Sequence, residues 1–591
     1  MPDELPIGYY HTNFCKLLAF VQNRYHDLLT HAERACIDDF HDLTPDAQRL
    51  FVRLLTRKGP LYRSDRLAYE EIGETEKALD ELSSAGFVFA LSRNDGEHEW
   101  HRIGVSNAEF PEAADEESKG NNGLDTEAVE VSQASAVDVS DVSVEGAAKD
   151  AVLALLTRHE LIALLKTGGT SRRSQLVAEA TKLPVAAIVQ HLPFRVVMTR
   201  RLQEVTCFRL LFFGNTHQNL TEFVLRDLGV APYETYTIDE TSRFFTCRDH
   251  VEEVRRAYEI SDHCHRLLET PDVTHIERFA GDFPEQISVR AMRLLDRTRN
   301  QMARQLERMQ AEDAALAIYQ QSQTHPARER QVRLLIAGDC LGDALLLVNR
   351  MLAEPWNEDE LEFAYLSKHR ILKKLGQPTT PPVRCQPIVN DLVLEAETDL
   401  RVEELVRRHY EQQGYQAHYV ENALFPGLFG LLFWDVIFSH QPGVFFNEFQ
   451  RGPVDMFDSR FVSSRQPLID ECFISLSSGN YRHRIRSTFR HKFPAVNYFV
   501  HWGMLDEVLL ETCLDRIPAD HLASVFRQML RDLRNNRSGF PDLIVFPPGS
   551  GYELIEVKGP GDALQKHQRR WFGHFERENI PARVAKVEYA S

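Results

Sequence analysis

A long acidic segment divides this amino-acid sequence and limits what it can fold into. The stretch from Ser106 to Asp150 contains few large apolar side chains and holds twelve Asp or Glu residues against two Lys. Such a segment cannot bury enough apolar surface to offset the conformational entropy that ordering would cost. We predict that 106–149 is an acidic disordered linker between two folded blocks. At 591 residues the chain also exceeds the ~250–300 residues that one core supports, so we expect several domains.

The acidic segment accounts for more than half of the net charge of −19. The remaining sequence is only mildly acidic, so binding to a polyanion would depend on local basic patches. The longest apolar run, Leu428 to Phe438, is shorter than the ~18 residues of a membrane helix and contains Asp435. The nine cysteines are scattered without a C-x-x-C pair, which fits reduced thiols and argues against a zinc knuckle.

Residues 1–105 have the pattern of a small helical domain. Thr44 can cap a helix whose apolar residues recur at helical spacing from Leu50 onward. A second helical stretch begins at Ala78, and the run 87–91 that follows is typical of a strand. This order resembles a winged helix, and we predict a helical or winged-helix-like module. A helical scaffold that contacts no nucleic acid would show the same pattern.

Residues 150–255 contain two short amphipathic segments, 151–166 and 175–182, on either side of the polar bend TGGTSRRS. Helix pairs of this kind resemble SAP-type DNA-binding modules, and we predict such a region here. In that interpretation Arg172 and Arg173 contact backbone phosphates, which gives affinity without sequence readout. A helical hairpin with a solvated turn is the alternative.

Four more arginines lie among apolar residues in the stretch 193–215. Arginines interleaved with aromatic residues can hold phosphates and stack on bases, although ordinary surface arginines beside a buried run look the same. These four are Arg195, Arg200, Arg201 and Arg209.

Residues 256–390 are predicted to form a TPR-like helical domain. The segment DAALAIYQQS, which begins at Asp313, is echoed thirty positions later by DALLLVNRML, which begins at Asp343. That period is close to the length of helix-pair repeats, which stack into a solenoid. No chemistry is expected from this part of the chain.

The final domain, 391–591, contains two strands that flank the turn 547–551 and carry polar residues near their ends. Residues two apart on a strand share a face, so Glu556 and Lys558 lie side by side while Val557 faces the core. If the strands pair across the five-residue turn, Asp542 falls opposite Glu556. A slip of one residue would set Asp542 against an apolar neighbour instead.

Two carboxylates this close repel each other unless a cation lies between them. We therefore expect Mg²⁺ or Mn²⁺, as two ions, at Asp542 and Glu556, with the backbone carbonyl of Val557 as a further ligand. Lys558 would orient or deprotonate a water, or offset charge on a pentacoordinate phosphorane. The tripeptide alone is a weak signal, because Glu117-Ser118-Lys119 also fits it.

The sequence around these residues resembles a known family. GFPDLIVF, ELIEVKGPGD and LQKHQRRWF resemble the VRR-NUC domain of the PD-(D/E)xK nuclease superfamily, which has a restriction-endonuclease-like α/β fold. Upstream, the segments YVEN (from Tyr419), GLLFWDVIF (from Gly430) and QRGPVD (from Gln450) resemble the Fanconi-associated nucleases more narrowly. The order of small-helix module, helical repeats and C-terminal nuclease is similar too.

This resemblance implies roles for particular residues and an activity. Glu421 would be an additional metal ligand, Asp542 and Glu556 the core carboxylates, Lys558 the catalytic lysine, and Gln568 a supporting residue of the site. The implied activity is a structure-selective DNA nuclease, a 5′-flap endonuclease and 5′–3′ exonuclease that acts in repair of DNA interstrand crosslinks.

DNA is therefore the expected partner, and Arg484 and Arg486 are further candidate contacts in a basic stretch. The start MPDELPIGYYH lacks the features of a signal peptide, so we expect a protein of the bacterial nucleoid or the nucleus rather than a secreted one. Two alternatives remain open: a Holliday-junction resolvase-type nuclease, and a DNA-binding scaffold whose nuclease domain is vestigial.

Overall fold

The computed structural model describes most of the chain and divides it into two compact units. Unit 1 is Met1–Val230 with Phe245–Thr298, and unit 2 is Ala231–Phe244 with Arg299–Ser591. The predicted acidic linker lies outside the described residues except for position 149. The described ranges are 8–57, 59, 61–91, 149–167, 171–184, 187–188, 190–218, 232–284, 287–381, 385–395, 400–458 and 460–590.

Unit 1 is mostly helical. Its helices are α1 (Tyr9–Tyr25), α2 (His31–Asp42), α3 (Pro45–Leu55), α4 (Thr75–Ser84), α5 (Arg158–Leu165), α6 (Arg173–Ala180), α7 (Leu202–Phe213), α8 (Arg248–Glu269) and α9 (Val273–Gly281). Its strands are β1 (Leu61–Arg63), β2 (Val88–Leu91) and β3 (Val196–Thr199).

Hydroxyl side chains set several of these helix starts. Thr44 caps α3 as predicted, with its hydroxyl oxygen 3.4 Å from the backbone nitrogen of Ala47. The predicted helix over 151–166 is instead two helical pieces, because Thr157 and Glu160 form a capping box that starts α5. Residues 149–155 form the piece before it.

The three strands of unit 1 correct the prediction of two separate folded blocks. β3 lies between β1 and β2 and pairs antiparallel with both, so that Met198 is opposite Leu61 on one side and Phe89 on the other. β1 and β2 precede the acidic segment and β3 follows it. The expected separation into two folded blocks is therefore wrong. A strand needs hydrogen-bonding partners, and β3 finds its partners in the two strands that precede the acidic segment.

A buried arginine joins the same two parts of the sequence. The guanidinium of Arg63, on β1, makes hydrogen bonds of 2.7 and 2.8 Å with the two carboxylate oxygens of Glu160 on α5. It also lies over the Phe194 ring, 3.9 Å from the ring centre. Hydrogen bonds from Arg63 and from Thr157 lower the pKa of Glu160 to about 2.

This ion pair predicts a pH-dependent loss of stability. A carboxyl group whose pKa is depressed by folding stabilises the fold above its unfolded pKa, and that contribution disappears as the pH falls through the folded value. We expect Glu160→Gln to cost about 1–3 kcal/mol at neutral pH, with the deficit shrinking below about pH 4.5. Urea denaturation at several pH values measures it.

Glu74→Gln is the matched control, because Glu74 pairs with Lys77 at an exposed site. Its cost should stay below about 0.5 kcal/mol at every pH. A Glu160→Gln deficit that does not change with pH would contradict the assignment.

Helix α10 (Val289–Arg308) contains the point in the sequence where unit 1 ends and unit 2 resumes. In unit 2 it is followed by an array of helices and then by a mixed α/β domain. The array continues with α11 (Glu312–Gln321), α12 (Ala327–Ala337), α13 (Leu341–Ala353) and α14 (Glu358–Lys374). The two similar segments noted in the sequence fall on α11 and α13, and neighbouring helices from α11 to α14 pack on each other. These helix pairs match the predicted repeat length, and the TPR assignment itself stays a prediction.

The remaining elements of unit 2 form the C-terminal domain. Its helices are α15 (Val402–Gln412), α16 (Leu424–Leu432), α17 (Trp434–Ile437), α18 (Arg460–Ser464), α19 (Gln466–Ser478), α20 (Tyr481–Lys492), α21 (Glu507–Arg516), α22 (Ala519–Arg531) and α23 (Lys566–Arg577). Its strands are β4 (Ile388–Leu394), β5 (Gln416–Tyr419), β6 (Leu543–Phe546), β7 (Glu553–Lys558) and β8 (Ala582–Tyr589).

These five strands form one mixed sheet in the order β4-β8-β7-β6-β5. The β4–β8 and β8–β7 pairs are parallel, and the β7–β6 and β6–β5 pairs are antiparallel. One face packs on α15, and the other shares a large apolar core with α16, α22 and α23. The predicted C-terminal α/β domain is present, and its central strands are covered on both faces. None of the described helices is long and apolar enough to cross a membrane.

Candidate functional site

The pairing of β6 with β7 decides which polar residues meet. Leu543 lies opposite Ile555 and Val545 opposite Glu553. Continued by one residue, this register sets Asp542 opposite Glu556, as the five-residue turn predicts. The pairing is reinforced at that point, because the Val557 N–H donates a hydrogen bond of 2.7 Å to Oδ2 of Asp542.

Glu556 is fully buried and is held from two sides through one of its oxygens. Its Oε1 lies 2.8 Å from Nζ of Lys558, so these residues do lie side by side. The same oxygen accepts a hydrogen bond of 2.5 Å from Nε2 of Gln568, on the first turn of α23. The Gln565 N–H donates to Oε1 of Gln568 over 2.9 Å, which fixes the orientation of that amide.

The second oxygen of Glu556, Oε2, is buried and accepts no hydrogen bond from the residues that the structure describes. A buried carboxylate oxygen without a donor costs free energy unless a proton or a cation satisfies it. Asp542 is the neighbouring carboxylate and is nearly buried as well. The two side chains therefore offer hard, poorly solvated oxygens in adjacent positions.

Burial and mutual repulsion act on both carboxyl groups. Burial is the largest cause that raises the pKa of Asp542, and Glu421 raises it further, while the Val557 N–H opposes the shift. Burial and then Asp542 raise the pKa of Glu556, against the ammonium group of Lys558. A divalent cation would oppose these shifts, since it stabilises the charged form of each group.

Glu421 lies two residues after the end of β5, at this end of the sheet. β5 pairs with β6, and the Val420 N–H donates to the backbone oxygen of Asp542 over 2.8 Å. The Glu421 carboxylate accepts hydrogen bonds from the hydroxyl of Tyr419 and from the amide of Asn422. Its charge reaches Asp542 and Glu556, whose pKa values it raises.

The carboxylates of Glu421, Asp542 and Glu556, which are the three predicted acidic ligands, do not converge on one point. Among the residues that the structure describes, no three His, Cys, Asp or Glu side chains are grouped closely enough to hold a metal ion. Glu421 is turned toward Tyr419 and Asn422. The residues nonetheless fit Mg²⁺ or Mn²⁺, because Asp542 and the unsatisfied Oε2 of Glu556 are the oxygen donors that such ions prefer.

Two contacts, one of which requires a glycine, fix the chain that leads into Asp542. Gly539 has a φ of +91°, and a Cβ atom there would lie 2.9 Å from the backbone carbon of His567. The next residue, Phe540, packs on Trp571 with ring centres 4.2 Å apart. The start of α23, which carries Gln568, is therefore packed directly against the segment before Asp542.

Helix α23 is also tied to the helical array by ion pairs that sequence reasoning missed. Lys566 lies 3.0 Å from Asp359 on α14, and Arg570 pairs with both Asp359 and Glu362. The partners are about two hundred residues apart, and no local pattern in the sequence links them.

Comparison with known proteins identifies the family. The VRR-NUC domain model matches residues 476–589, and the model described as FAN1, HTH domain matches residues 8–89. The Fanconi-associated nuclease 1 homolog of Pseudomonas aeruginosa is 33% identical over 599 residues, which span 98% of this chain and 96% of that protein. This chain belongs to the Fanconi-associated nuclease 1 family. The homolog of Arabidopsis thaliana is 23% identical over 98% of this chain and 67% of its own length.

Solved structures agree with this family assignment. The crystal structure of paFAN1 bound to 2nt 5′flap DNA with gap has a TM-score of 0.81 and 30% identity, with full coverage of both chains. The structure of paFAN1 with 1nt 5′flap DNA with gap gives 0.79 and 31%. The predicted resemblance is confirmed, and the chain is a member of a nuclease family.

Most of the arginines of unit 1 that are predicted to contact DNA have protein partners. Arg173 donates hydrogen bonds to the backbone oxygens of Ala154 and Leu156, and so caps the helical piece before α5. Arg195 pairs with Glu76 and Asp80 at 3.0 and 2.8 Å.

Of the other four arginines, two have protein partners and two are exposed. Arg201 pairs with Asp39 at 3.2 Å, and Arg209 donates to a backbone oxygen while burial lowers its pKa. Arg172 and Arg200 are exposed. The stretch 195–209 is therefore not one free basic cluster, and its predicted contact with DNA stays a prediction, most directly for Arg200.

In unit 2, Arg486 on α20 makes a two-pronged ion pair with Glu511, with a shortest distance of 2.6 Å. Arg484 on the same helix is half-buried, and its charge lowers the pKa of the buried Cys472 against the larger effect of burial. Asp455 in the QRGPVD segment pairs with the buried Arg465 at 2.8 Å. That part of the family pattern is explained by folding of the domain.

The close approach at Gly539 predicts an unusually costly glycine substitution. Gly539→Ala forces a side chain into a positive φ, which costs about 1–2 kcal/mol, and adds a clash with His567 worth about 1–3 kcal/mol more. Gly551, in the β6–β7 turn, has a similar φ of +85° and nothing within 4 Å of a Cβ atom. Gly551→Ala should therefore show the φ cost alone. Thermal denaturation measures both, and equal losses would contradict the packing of α23 on this segment.

Proposed function

We propose that this chain is a structure-selective DNA nuclease that hydrolyses phosphodiesters with divalent metal ions. Its substrates would be DNA with 5′ flaps and 5′ ends, cut endonucleolytically near a flap and trimmed in the 5′–3′ direction. Three findings support the proposal: membership of the family, the likeness to a relative solved with 5′-flap DNA, and the buried carboxylate pair at Asp542 and Glu556. The buried carboxylate pair is the observation on which the proposal mainly depends.

A bound Mg²⁺ or Mn²⁺ would polarise a phosphate oxygen and lower the pKa of a water. Asp542 and Glu556 would hold it, with Glu421 and the Val557 carbonyl as the further ligands that we predict. Gln568 keeps Glu556 in one orientation through the hydrogen bond to Oε1, which leaves Oε2 as the open donor.

Lys558 has a role that its ion pair helps to define. Because Nζ lies 2.8 Å from a carboxylate oxygen of Glu556, the side chain is positioned as a hydrogen-bond donor. It can therefore offset negative charge that develops on the phosphate as the water oxygen bonds to phosphorus and the bond to the sugar oxygen breaks. In the predicted set of roles, this one fits the contact better than removal of a proton from water.

The cellular role that we propose is DNA repair, including repair of interstrand crosslinks, in the bacterial nucleoid or the nucleus. The alternatives, a junction resolvase and a vestigial scaffold, are separated from this proposal by one experiment. End-labelled 5′-flap, nicked, four-way-junction and single-stranded DNA are incubated with the full chain and Mg²⁺, Mn²⁺ or EDTA. Cleavage of the flap and the nick with either metal, and none with EDTA, is expected; no cleavage of any substrate would support the scaffold.

The lysine gives a sharp prediction. Lys558→Ala should lower the cleavage rate at least about 100-fold and leave DNA affinity nearly unchanged, because the lost interaction is stronger in the transition state than in the ground state. Single-turnover cleavage and a binding titration measure the two effects. Lys586 on β8, which lies next to Lys558 in the parallel register, is exposed and serves as a control. Lys586→Ala should cleave normally, and near-normal cleavage by Lys558→Ala would remove the assignment.

The polarity of cleavage is a further prediction. A nuclease that reads no sequence needs an anchor, and a terminal 5′ phosphate carries more charge than an internal diester. We expect incision a few nucleotides into the duplex beyond a 5′ flap, and little cutting of a 3′ flap. Arg200→Glu should spread incision over more positions, and this effect should be larger than any decrease in the cleavage rate. Equal cutting of the 5′ flap and the 3′ flap on a sequencing gel would contradict this polarity and would favour the junction resolvase instead.

A further inference from the structure

The segment between β5 and α16 contains an exposed acidic residue, Glu421, whose side chain is already held in place. A glutamate in solution samples many rotamers, and a ligand that captures it must overcome that loss of freedom. In this structure both carboxylate oxygens of Glu421 have partners. Tyr419 donates its hydroxyl to Oε2, and the amide of Asn422 lies 3.3 Å from Oε1.

Asn422 links Glu421 to the strand that carries Asp542. Its Oδ1 accepts hydrogen bonds of 2.7 and 3.2 Å from the backbone N–H groups of Gly539 and Phe540. Its Nδ2 is the atom that faces Glu421. One amide group therefore connects two parts of the site that are more than a hundred residues apart in the sequence.

The backbone at this point favours asparagine. Asn422 has a φ of +50°, a left-handed conformation that asparagine and glycine adopt more readily than other residues. Glycine would keep the backbone and lose both side-chain functions. Tyr419 ends β5, where it pairs with Leu543, so its ring is anchored to the sheet while its hydroxyl reaches the loop.

We propose that Tyr419 and Asn422 are positioning residues that restrain the carboxylate of Glu421 near Asp542 and Glu556, so that it loses less freedom when it closes on the divalent cation of this site. The inference rests on the proposed function, which requires that cation. A ligand carboxylate that is held in advance by hydrogen bonds binds its ion more tightly, since less freedom is lost on binding.

The main test removes a single hydroxyl. Mn²⁺ binding to the full chain without DNA is measured by calorimetry, and binding that persists in Asp542→Asn is subtracted. Tyr419→Phe should weaken the remaining Mn²⁺ affinity by about tenfold, the lower end of the range for outer-shell partners. Tyr415→Phe is the matched control in the same domain and should bind like the natural chain.

A double substitution shows whether Tyr419 acts through Glu421. Glu421→Gln alone should weaken Mn²⁺ binding, and adding Tyr419→Phe to it should cause no further loss. Additive losses would mean that Tyr419 acts independently and would overturn the proposal. So would an unchanged or tighter affinity in Tyr419→Phe.

Asn422→Gly provides a second measurement that separates positioning from folding. It should lower the melting temperature in EDTA, because Gly539 and Phe540 lose their acceptor, and it should also weaken Mn²⁺ binding. In the Glu421→Gln background the thermal effect should persist and the effect on Mn²⁺ should shrink, and what is left of it reports the lost contacts with Gly539 and Phe540 beside Asp542. An effect of Asn422→Gly on Mn²⁺ that is as large in the Glu421→Gln background as in the natural chain would contradict the inference.

The result also separates this inference from the proposed function. If the natural chain binds no Mn²⁺ that Asp542→Asn removes, the metal-dependent function and the inference fail together. If the natural chain binds Mn²⁺ and Glu421→Gln weakens it while Tyr419→Phe does not, only the inference fails.

Discussion

The antiparallel register between β6 and β7 places two carboxylates opposite each other inside a covered sheet, and the rest of the C-terminal domain is organised around that pair. The Val557 N–H holds Asp542, while Lys558 and Gln568 both hold one oxygen of Glu556. Burial makes these contacts strong and makes the remaining unsatisfied oxygen costly. The same low solvation that destabilises the two acids in isolation would favour their binding to a cation.

The surrounding elements act mainly to keep this pair in place. Helix α23 brings Gln568 to Glu556, and the glycine at 539 lets that helix start against the segment before Asp542. Ion pairs from Lys566 and Arg570 fix the same helix to the helical array. Helix α23 therefore connects Gln568 to the helical array.

Unit 1 joins the sequence before the acidic segment to the sequence after it. The strand β3 completes a sheet with β1 and β2, and Arg63 pairs with Glu160 from the same two sides of the insertion. Hydrogen bonding and charge pairing thus join the sequence before the acidic segment to the sequence after it. Most of the arginines that suggested a DNA surface here are used in such internal contacts, so arginine count was a poor guide to free charge.

The sequence by itself determined the elements whose signals are local. The cap at Thr44, the echo that marks α11 and α13, and the existence of the β6–β7 hairpin all follow from short-range spacing, because turns, caps and strand alternation act over a few residues. The spacing left two registers open for that hairpin, and the structure selects the one that sets Asp542 opposite Glu556. Only the tertiary structure decided that β3 pairs with strands that precede the acidic segment, that Arg570 reaches Asp359, and that Asn422 ties Glu421 to Gly539. These contacts join residues more than a hundred positions apart, and their partners are set by how whole elements pack together, which no local pattern records.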